Sequence, residues 1–534
     1  MPASRTLPRL LAEMAQRYPA RNFLTDGGRR MNYAEFLAEA RVLARSFHAL
    51  GVRKGDKVAV LMGNQLEWVL TQFAVTMLGG VLVALNTWWR HAELRHALAL
   101  SDASMLVMVD RYLGNDYAAE LLLIGDLALE LPRLKHIVFL GDHKPAQALN
   151  WLALRQTGEA VPVAVVDAAA REVEPGDPAM MLFTSGSTAR SKAVALEHRG
   201  LIENMHAIGE RMYLTEDDRL LLVISLFWAL GGVNALFTFI SHGASIVLQH
   251  HHDPAETLRL IEAERCTAIY TTPNIVFALH GHPDRRRRDL STLCTGVARN
   301  TAVHLMDEMG AREMCPVYGL TECYANSAVA DARAPLEVRR RSSGFALPNT
   351  EIQIVDPRTR MPLAQGDVGE VRIRGYVTSG YYKDPALTAV TIDGEGWFYT
   401  GDLARMEADG GLQFQGRLKE IIKTGGINVT PADVEKLLLD FPGVGQAFAV
   451  GVPDPERDEV IAAMVVLRAG CSVTAEELIE HCRRSAAAYK VPRYIELAEP
   501  DQVPLTDAGK VHKRRIRELL GAKYLAARGS PGRG

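Results

Sequence analysis

The stretch Thr184-Ser185-Gly186-Ser187-Thr188-Ala189-Arg190-Ser191-Lys192 carries groups that hold phosphate, and it follows the apolar run Ala179–Phe183. Backbone N–H groups and Ser/Thr hydroxyls can surround phosphate oxygens, while Lys192 supplies a positive charge. The other reading of the same residues is a polar surface loop after a buried strand. The Walker loop of kinases and GTPases is excluded. That pattern needs Gly directly before its Lys and Ser or Thr directly after, and here Ser191 and Ala193 stand there.

Positioning such a loop requires a scaffold, and the chain before it alternates two periods. Asn32-Tyr33-Ala34-Glu35 is a capping box, after which Tyr33, Phe36, Leu37, Ala40, Leu43, Ala44, Phe47 and Leu50 repeat at helical spacing up to Gly51. Apolar strands are predicted at Lys57–Met62, Val81–Leu85, Met105–Val109 and Ile137–Leu140, with a helix over Gln65–Leu78. Alternation of this kind argues for a largely parallel sheet covered on both faces, where ligands collect at the carboxyl ends of strands. The Thr184 loop falls at such an end. Beyond it, Leu220–Ser225 and Ala268–Thr272 read as further strands. The uncharged runs Trp68–Trp89 and Leu220–Ser241 are long enough to span a bilayer, but Gly79-Gly80 and Gly231-Gly232 interrupt them. They read as buried helix-turn-strand and strand-turn-helix, so no transmembrane segment is expected.

At 534 residues, 48% hydrophobic and 23% charged, the chain can build a large core and more than one domain. Sixty basic against 63 acidic residues leave a net charge of −3, which gives no field to recruit nucleic acid or anionic membrane. The six cysteines make no CxxC pair, and the first twenty residues form no secretory signal. A cytoplasmic protein with reduced thiols is expected. His250-His251-His252 reads as a solvated turn, because three consecutive side chains do not converge on one ion. Arg285–Arg288 and Arg339–Arg341 read as solvated loops, with the phosphates of a ligand as the alternative contact.

Further along the chain stand Tyr318-Gly319-Leu320-Thr321-Glu322, Tyr399-Thr400-Gly401-Asp402, Gly416-Arg417-Leu418-Lys419 continuing to Lys423-Thr424-Gly425-Gly426, and Pro504-Leu505-Thr506-Asp507-Ala508-Gly509-Lys510. With the Thr184 loop these five motifs, in this order, resemble those of the adenylate-forming (AMP-binding) superfamily, in its acyl-CoA synthetase and fatty-acid–CoA ligase branch. The family's phosphate loop reads Thr-Ser-Gly-Ser-Thr-Gly-x-Pro-Lys-Gly. This chain keeps Thr184 to Thr188 and Lys192 but has Ala189, Ser191 and Ala193 at the other signature positions. The segments around Ser343-Gly344, Gly366–Glu370, Arg372–Gly375 and Gly380-Tyr381-Tyr382 fill further family positions and are assigned no chemistry.

The resemblance implies an α/β fold: a large N-terminal domain (residues 1–417) of αβ-layered subdomains plus a β-rich portion, and a small mobile α+β C-terminal domain (418–534) hinged at Lys419. It implies ATP and Mg²⁺, with CoA as thiol acceptor. Thr184, Ser185, Gly186, Ser187, Thr188 and Lys192 would hold phosphates. Gly296, Val297 and Ala298 would lie against adenine, Tyr318 would stack on it, Gly319 would allow close backbone approach, and Thr321 would donate to the α-phosphate. Glu322 would be the magnesium ligand, the carboxylate of Asp402 would accept the ribose hydroxyls, and Arg417 would bind ribose or phosphate. Lys423 falls among the nucleotide and CoA residues, Gly425-Gly426 would line the pantetheine channel, and Lys510 would bridge the substrate carboxylate and the α-phosphate.

Phe227, Trp228 and Gly231 border the expected acyl pocket, where Trp228 is either a gating aromatic or a core tryptophan beside a tight turn. Residues 225–234 contain no acid, which argues against an amino-acid substrate. Three functions follow: a ligase joining a fatty or other hydrophobic acid to CoA, an enzyme loading the acyl group onto a carrier-protein pantetheine, and a catalytically silent nucleotide binder. If position 189 needs positive φ, Ala189 costs about 1–2 kcal/mol and loss of proline stiffness at Ser191 up to about 1 more. That amounts to roughly ten- to a hundredfold in rate, and predicts a slow or specialised enzyme.

Overall fold

A computed structural model describes residues 1–141, 148–184, 191–424, 427–454, 458–486, 488–506 and 509–529. The capping box forms as its residue types require: Asn32 Oδ1 accepts from Glu35 N at 2.8 Å and Glu35 Oε2 from Asn32 N at 2.9 Å. Helix Tyr33–Ala49 follows, burying Tyr33, Phe36, Ala40, Leu43, Ala44 and Phe47 on one face. Gly51, at φ +90°, stands just beyond its end in a conformation that disfavours a Cβ.

Among the described residues, two seven-stranded sheets organise the first two thirds of the chain. One runs in the order Glu313–Cys315, Thr295–Val297, Ala268–Tyr270, Arg219–Leu222, Ser245–Leu248, Asn22–Asp26, Arg29–Asn32, parallel except for its last strand. The other runs Lys192–Glu197, Pro178–Thr184, Val81–Ala84, Lys57–Leu61, Met105–Val109, His136–Leu140, Leu149–Asn150. Its first strand is antiparallel to the second, and the remaining pairs are parallel. Their interior strands are buried on both faces, which is why they read as continuous apolar runs. The two uncharged runs are helix Leu66–Met77 leading to strand Val81–Ala84, and strand Arg219–Leu222 leading to the helical segments Ala229–Ala235 and Leu236–Ile240. Among the described residues no helix is long and apolar enough to cross a membrane.

The chain forms two compact units: residues 1–352, 372–399 and 409–412 make one, and residues 353–371, 400–408 and 413–534 the other. In the second, the hairpin Val444–Asp454 and Asp458–Leu467 is the centre. Ile461, Ala463 and Val465 face a core with Val434, Leu438, Leu478 and Cys482. Val460, Ala462, Met464 and Val466 face another with Ile516 and Leu520. The period of two thus puts helices Pro431–Leu439 and Ala475–Ser485 on one side of the strand and Lys513–Gly529 on the other.

Several expectations change. The strand predicted over Leu220–Ser225 ends at Leu222, because Asn64 takes the next carbonyls: its Nδ2 donates to Ile224 O at 3.1 Å while its Oδ1 accepts from Leu226 N at 2.9 Å. A strand, Ile427–Val429, stands between Gly426 and the helix at Pro431, and Thr430 sits at the N-cap without a side-chain hydrogen bond. His250 stands in an exposed turn as expected, and it also pairs: its Nε2 lies 2.6 Å from the buried Asp26 carboxylate. Arg339 is buried and donates to Ala334 O at 2.9 Å and Met314 O at 3.2 Å, so that charge serves the fold.

Candidate active site

The phosphate-loop candidate joins two antiparallel strands. Pro178–Thr184 runs in from the sheet interior and Lys192–Glu197 returns along its edge, with Thr184 and Lys192 directly opposite each other. A hydroxyl and an ammonium therefore stand at the two feet of the loop. Ser185, Gly186, Ser187, Thr188 and Ala189 lie outside the described residues. Of the other two departures from the family motif, Ala193 is buried in the ladder opposite Phe183, and Ser191 offers its carbonyl to His96 Nε2 at 3.2 Å. Neither disrupts the hairpin.

Lys192 and Glu322, 130 positions apart in sequence, both contact one side chain. The Tyr381 hydroxyl donates to Glu322 Oε1 at 2.9 Å, and Lys192 Nζ lies 5.2 Å from the Tyr381 ring centroid. The backbone holds this arrangement: Tyr381 bridges Val194, Tyr382 N donates to Ala193 O at 2.9 Å, and Thr378 N donates to Glu322 O at 2.7 Å. Glu322 sits on the short 3₁₀ turn Thr321–Cys323, buried but for 7% of its surface. Burial pushes the Tyr381 phenol up, with the Glu322 carboxylate adding to the shift, so the phenol remains a donor. A buried carboxylate is a hard-oxygen donor that suits Mg²⁺, and the residues present fit that ion.

Gly296, Val297 and Ala298 end a parallel strand, where the fold family of open sheets collects ligands. A Cβ at Gly296 would stand 1.8 Å from Ile269 O, and one at Gly319 2.3 Å from Ala325 O. Both glycines are thus required by the chain's own backbone, whatever else approaches them. Tyr318 ends strand Val317–Tyr318 and is buried.

Phe227 and Trp228 lead into a π-helix, Ala229–Ala235, which contains Gly231; Trp228 O, just before it, accepts from both Gly231 N (3.0 Å) and Gly232 N (2.8 Å). Cβ atoms at these glycines would reach Ser225 O and Leu226 O at 2.3 and 2.0 Å. Such wide turns recur at functional sites. Trp228 is half-buried, and Trp88 sets its edge against both Phe227 (5.8 Å) and Trp228 (5.3 Å).

In the second unit, Asp402 on strand Phe398–Met406 and Arg417 at the end of Leu412–Arg417 pair at 3.1 Å, the carboxylate buried and the guanidinium half exposed. Gly401 N donates to Glu370 Oε1 at 2.9 Å, and burial raises the Glu370 carboxyl above its usual range. Lys419 is exposed on the turn Leu418–Glu420. Lys423 lies on strand Ile422–Thr424, and Gly425 and Gly426 lie outside the described residues. Lys510 is exposed on a hairpin: Leu505 bridges Val511, Thr506 N donates to Lys510 O at 2.6 Å, and Gly509 takes φ +63°.

Sequence reasoning missed Tyr381, Trp88 and Asn64. The Gly380-Tyr381-Tyr382 segment was a visible signal for the first, and the Trp88-Trp89 pair for the second. Nothing local marked Asn64.

Comparison with known proteins shows the family and the fold. The model of the AMP-binding enzyme family matches residues 11–382, and that of the AMP-binding enzyme C-terminal domain residues 433–510. The chain is 34% identical to the putative acyl-CoA synthetase YngI of Bacillus subtilis, over 96% of each chain. It is 30% identical to the mitochondrial medium-chain acyl-CoA ligase ACSF2 of Danio rerio, over 96% of this chain and 88% of that one. Its fold is similar to that of the anthranilate CoA ligase AuaEII in complex with anthranoyl-AMP, with a TM-score of 0.86 at 24% identity, covering 98% and 99% of the two chains. The chain belongs to the AMP-binding enzyme family, and within it to the acid–thiol ligases.

Proposed function

We propose that this chain is an ATP-dependent carboxylate–CoA ligase for a fatty or other hydrophobic acid. The observation that carries the reading is the Lys192–Tyr381–Glu322 cluster beside the foot of the Thr184 hairpin. A cation and a hydrogen-bonded carboxylate beside Tyr381, with the Thr184 hydroxyl across the ladder from Lys192, are groups that suit a polyphosphate. In the first half-reaction a carboxylate oxygen of the acid attacks the α-phosphorus of ATP, the bond to the β-phosphate bridging oxygen breaks, and acyl-AMP and pyrophosphate result. Negative charge grows on phosphate oxygens, and preorganised donors and cations lower that barrier.

In this reading Lys192 and Thr184 hold the β- and γ-phosphates, Glu322 holds Mg²⁺, Asp402 and Arg417 orient the ribose, and Lys510 contacts the acid and the α-phosphate. Mg²⁺ bound by Glu322 supplies charge neutralisation at the phosphates. Phe227, Trp228 and Trp88 present an apolar edge to the acid. For the second half-reaction residues 418–534 turn at Lys419, so that the CoA thiolate displaces AMP from the acyl carbon.

Pyrophosphate release with Mg-ATP, measured across fatty and aromatic acids with and without CoA, tests the reading. Acid-dependent release that CoA accelerates is expected. Lys510→Ala is expected to lower acyl-AMP formation by roughly a hundredfold or more while acyl-AMP supplied ready-made is still converted to thioester. Release indifferent to CoA would favour a carrier-protein acceptor. No release from any acid, with ATP still bound, would defeat the ligase reading.

A further inference from the structure

Helix His198–Arg211 carries His206, Gly209 and Glu210 on neighbouring turns, and His242 follows the end of helix Leu236–Ile240. The two imidazoles stack, 4.3 Å apart and 15° from parallel. A Cβ on Gly209 would stand 2.2 Å from His242 Cε1, so the glycine is what lets that ring lie against the helix. Glu210 Oε1 reaches His206 Nε2 at 3.5 Å and His242 Nε2 at 3.3 Å. One donor atom from each of the three residues falls within 4.8 Å of the others.

The hydrogen bonds at His242 say what belongs between them. Its Nδ1 lies 2.9 Å from Thr238 O, and a carbonyl only accepts, so Nδ1 carries the proton. In the neutral ring Nε2 is then a bare lone pair facing a carboxylate oxygen. Two electron-rich atoms at that distance need a cation between them, either a second ring proton or a metal ion.

We propose that His206, Glu210 and His242 form a binding site for a divalent transition-metal cation of the zinc class, apart from the ligase residues. Two imidazoles and a carboxylate are a ligand set that borderline cations favour, and a water completes four-coordination. Donors bound at about 2.0–2.2 Å stand roughly 3.3 Å apart in a tetrahedron, close to the two carboxylate separations seen here. Only the two rings must tilt out of their stack. The carbonyl of Thr238 already fixes the His242 tautomer, as outer partners of metal-bound histidines do. A bound ion would clamp the end of helix His198–Arg211 to the turn after Leu236–Ile240.

Titrating the metal-stripped full-length protein with Zn²⁺ by calorimetry, and with Co²⁺ by visible absorption, tests the site. One equivalent of each is expected, with a four-coordinate Co²⁺ spectrum and a thermal midpoint that rises with Zn²⁺. Glu210→Gln changes an exposed side chain that folding does not require, and is expected to weaken Zn²⁺ binding by at least about tenfold. His242→Ala should abolish it, while His251→Ala, in the neighbouring histidine run, should leave it intact. Absence of saturable binding, retention in Glu210→Gln, or loss in His251→Ala would overturn the proposal. So would nitrogen NMR showing both His242 ring nitrogens protonated in the presence of Zn²⁺.

Discussion

Tyr381 ties the two charged groups of the phosphate cluster together, and its hydroxyl is the part that does so. A hydrogen bond to an ionised group contributes about 1.5–3 kcal/mol, and in Tyr381→Phe the buried Glu322 carboxylate loses that donor at Oε1. If the whole loss falls on the transition state, kcat for pyrophosphate release drops roughly ten- to a hundredfold. The Mg²⁺ concentration for half-maximal rate rises with it, because the carboxylate is no longer oriented. Steady-state rates against Mg²⁺ check both. Unchanged values would make Tyr381 a packing residue. The glycines of the same region answer to a different requirement. Gly296 and Gly319 face backbone oxygens of their own chain, so their lack of a Cβ is a condition of folding.

At the scale of elements, helix His198–Arg211 carries a buried histidine at its start. His198 Nδ1 accepts from Leu7 N at 3.1 Å, and complete burial lowers the imidazole from 6.5 to about 3. The folded state therefore holds this ring neutral while the unfolded chain protonates it below pH 6.5. Its contribution is fully present above that value and is lost as pH falls toward about 3, at about 1.4 kcal/mol per pH unit. Urea unfolding between pH 7 and 5 should show this slope, and His198→Gln should flatten it by about one proton. An equal slope in the variant would assign the acid sensitivity elsewhere. The hairpin carrying the phosphate loop is also an element-level finding. An edge strand antiparallel to its neighbour puts Lys192 back beside Thr184, which a strand-to-helix turn would not do.

For the whole molecule, the two compact units pack separate cores, and in the proposed function they would serve two half-reactions. If Lys419 is the hinge between residues 1–417 and 418–534, fixing its φ separates the half-reactions. In Lys419→Pro, acyl-AMP formation is expected to stay within about threefold of the parent, while thioester formation falls at least about tenfold. Single-turnover measurement of each step decides this. Equal losses in both steps would place the pivot elsewhere.

The local motifs by themselves determined the family, the α/β class and six of the fourteen elements that end by Leu140 among the described residues. Capping, apolar period and loop composition act within a few residues of one another, and a linear chain displays them. Asn32, Gly51 and the buried strands took their expected places for that reason. Tertiary structure alone decided which distant groups meet. Tyr381 between Lys192 and Glu322, Trp88 against Trp228, Asn64 ending a strand at Leu222, and His250 on Asp26 all depend on sheet order and register. Those follow from how the apolar faces of whole elements pack together, a global sum that no short window of sequence contains.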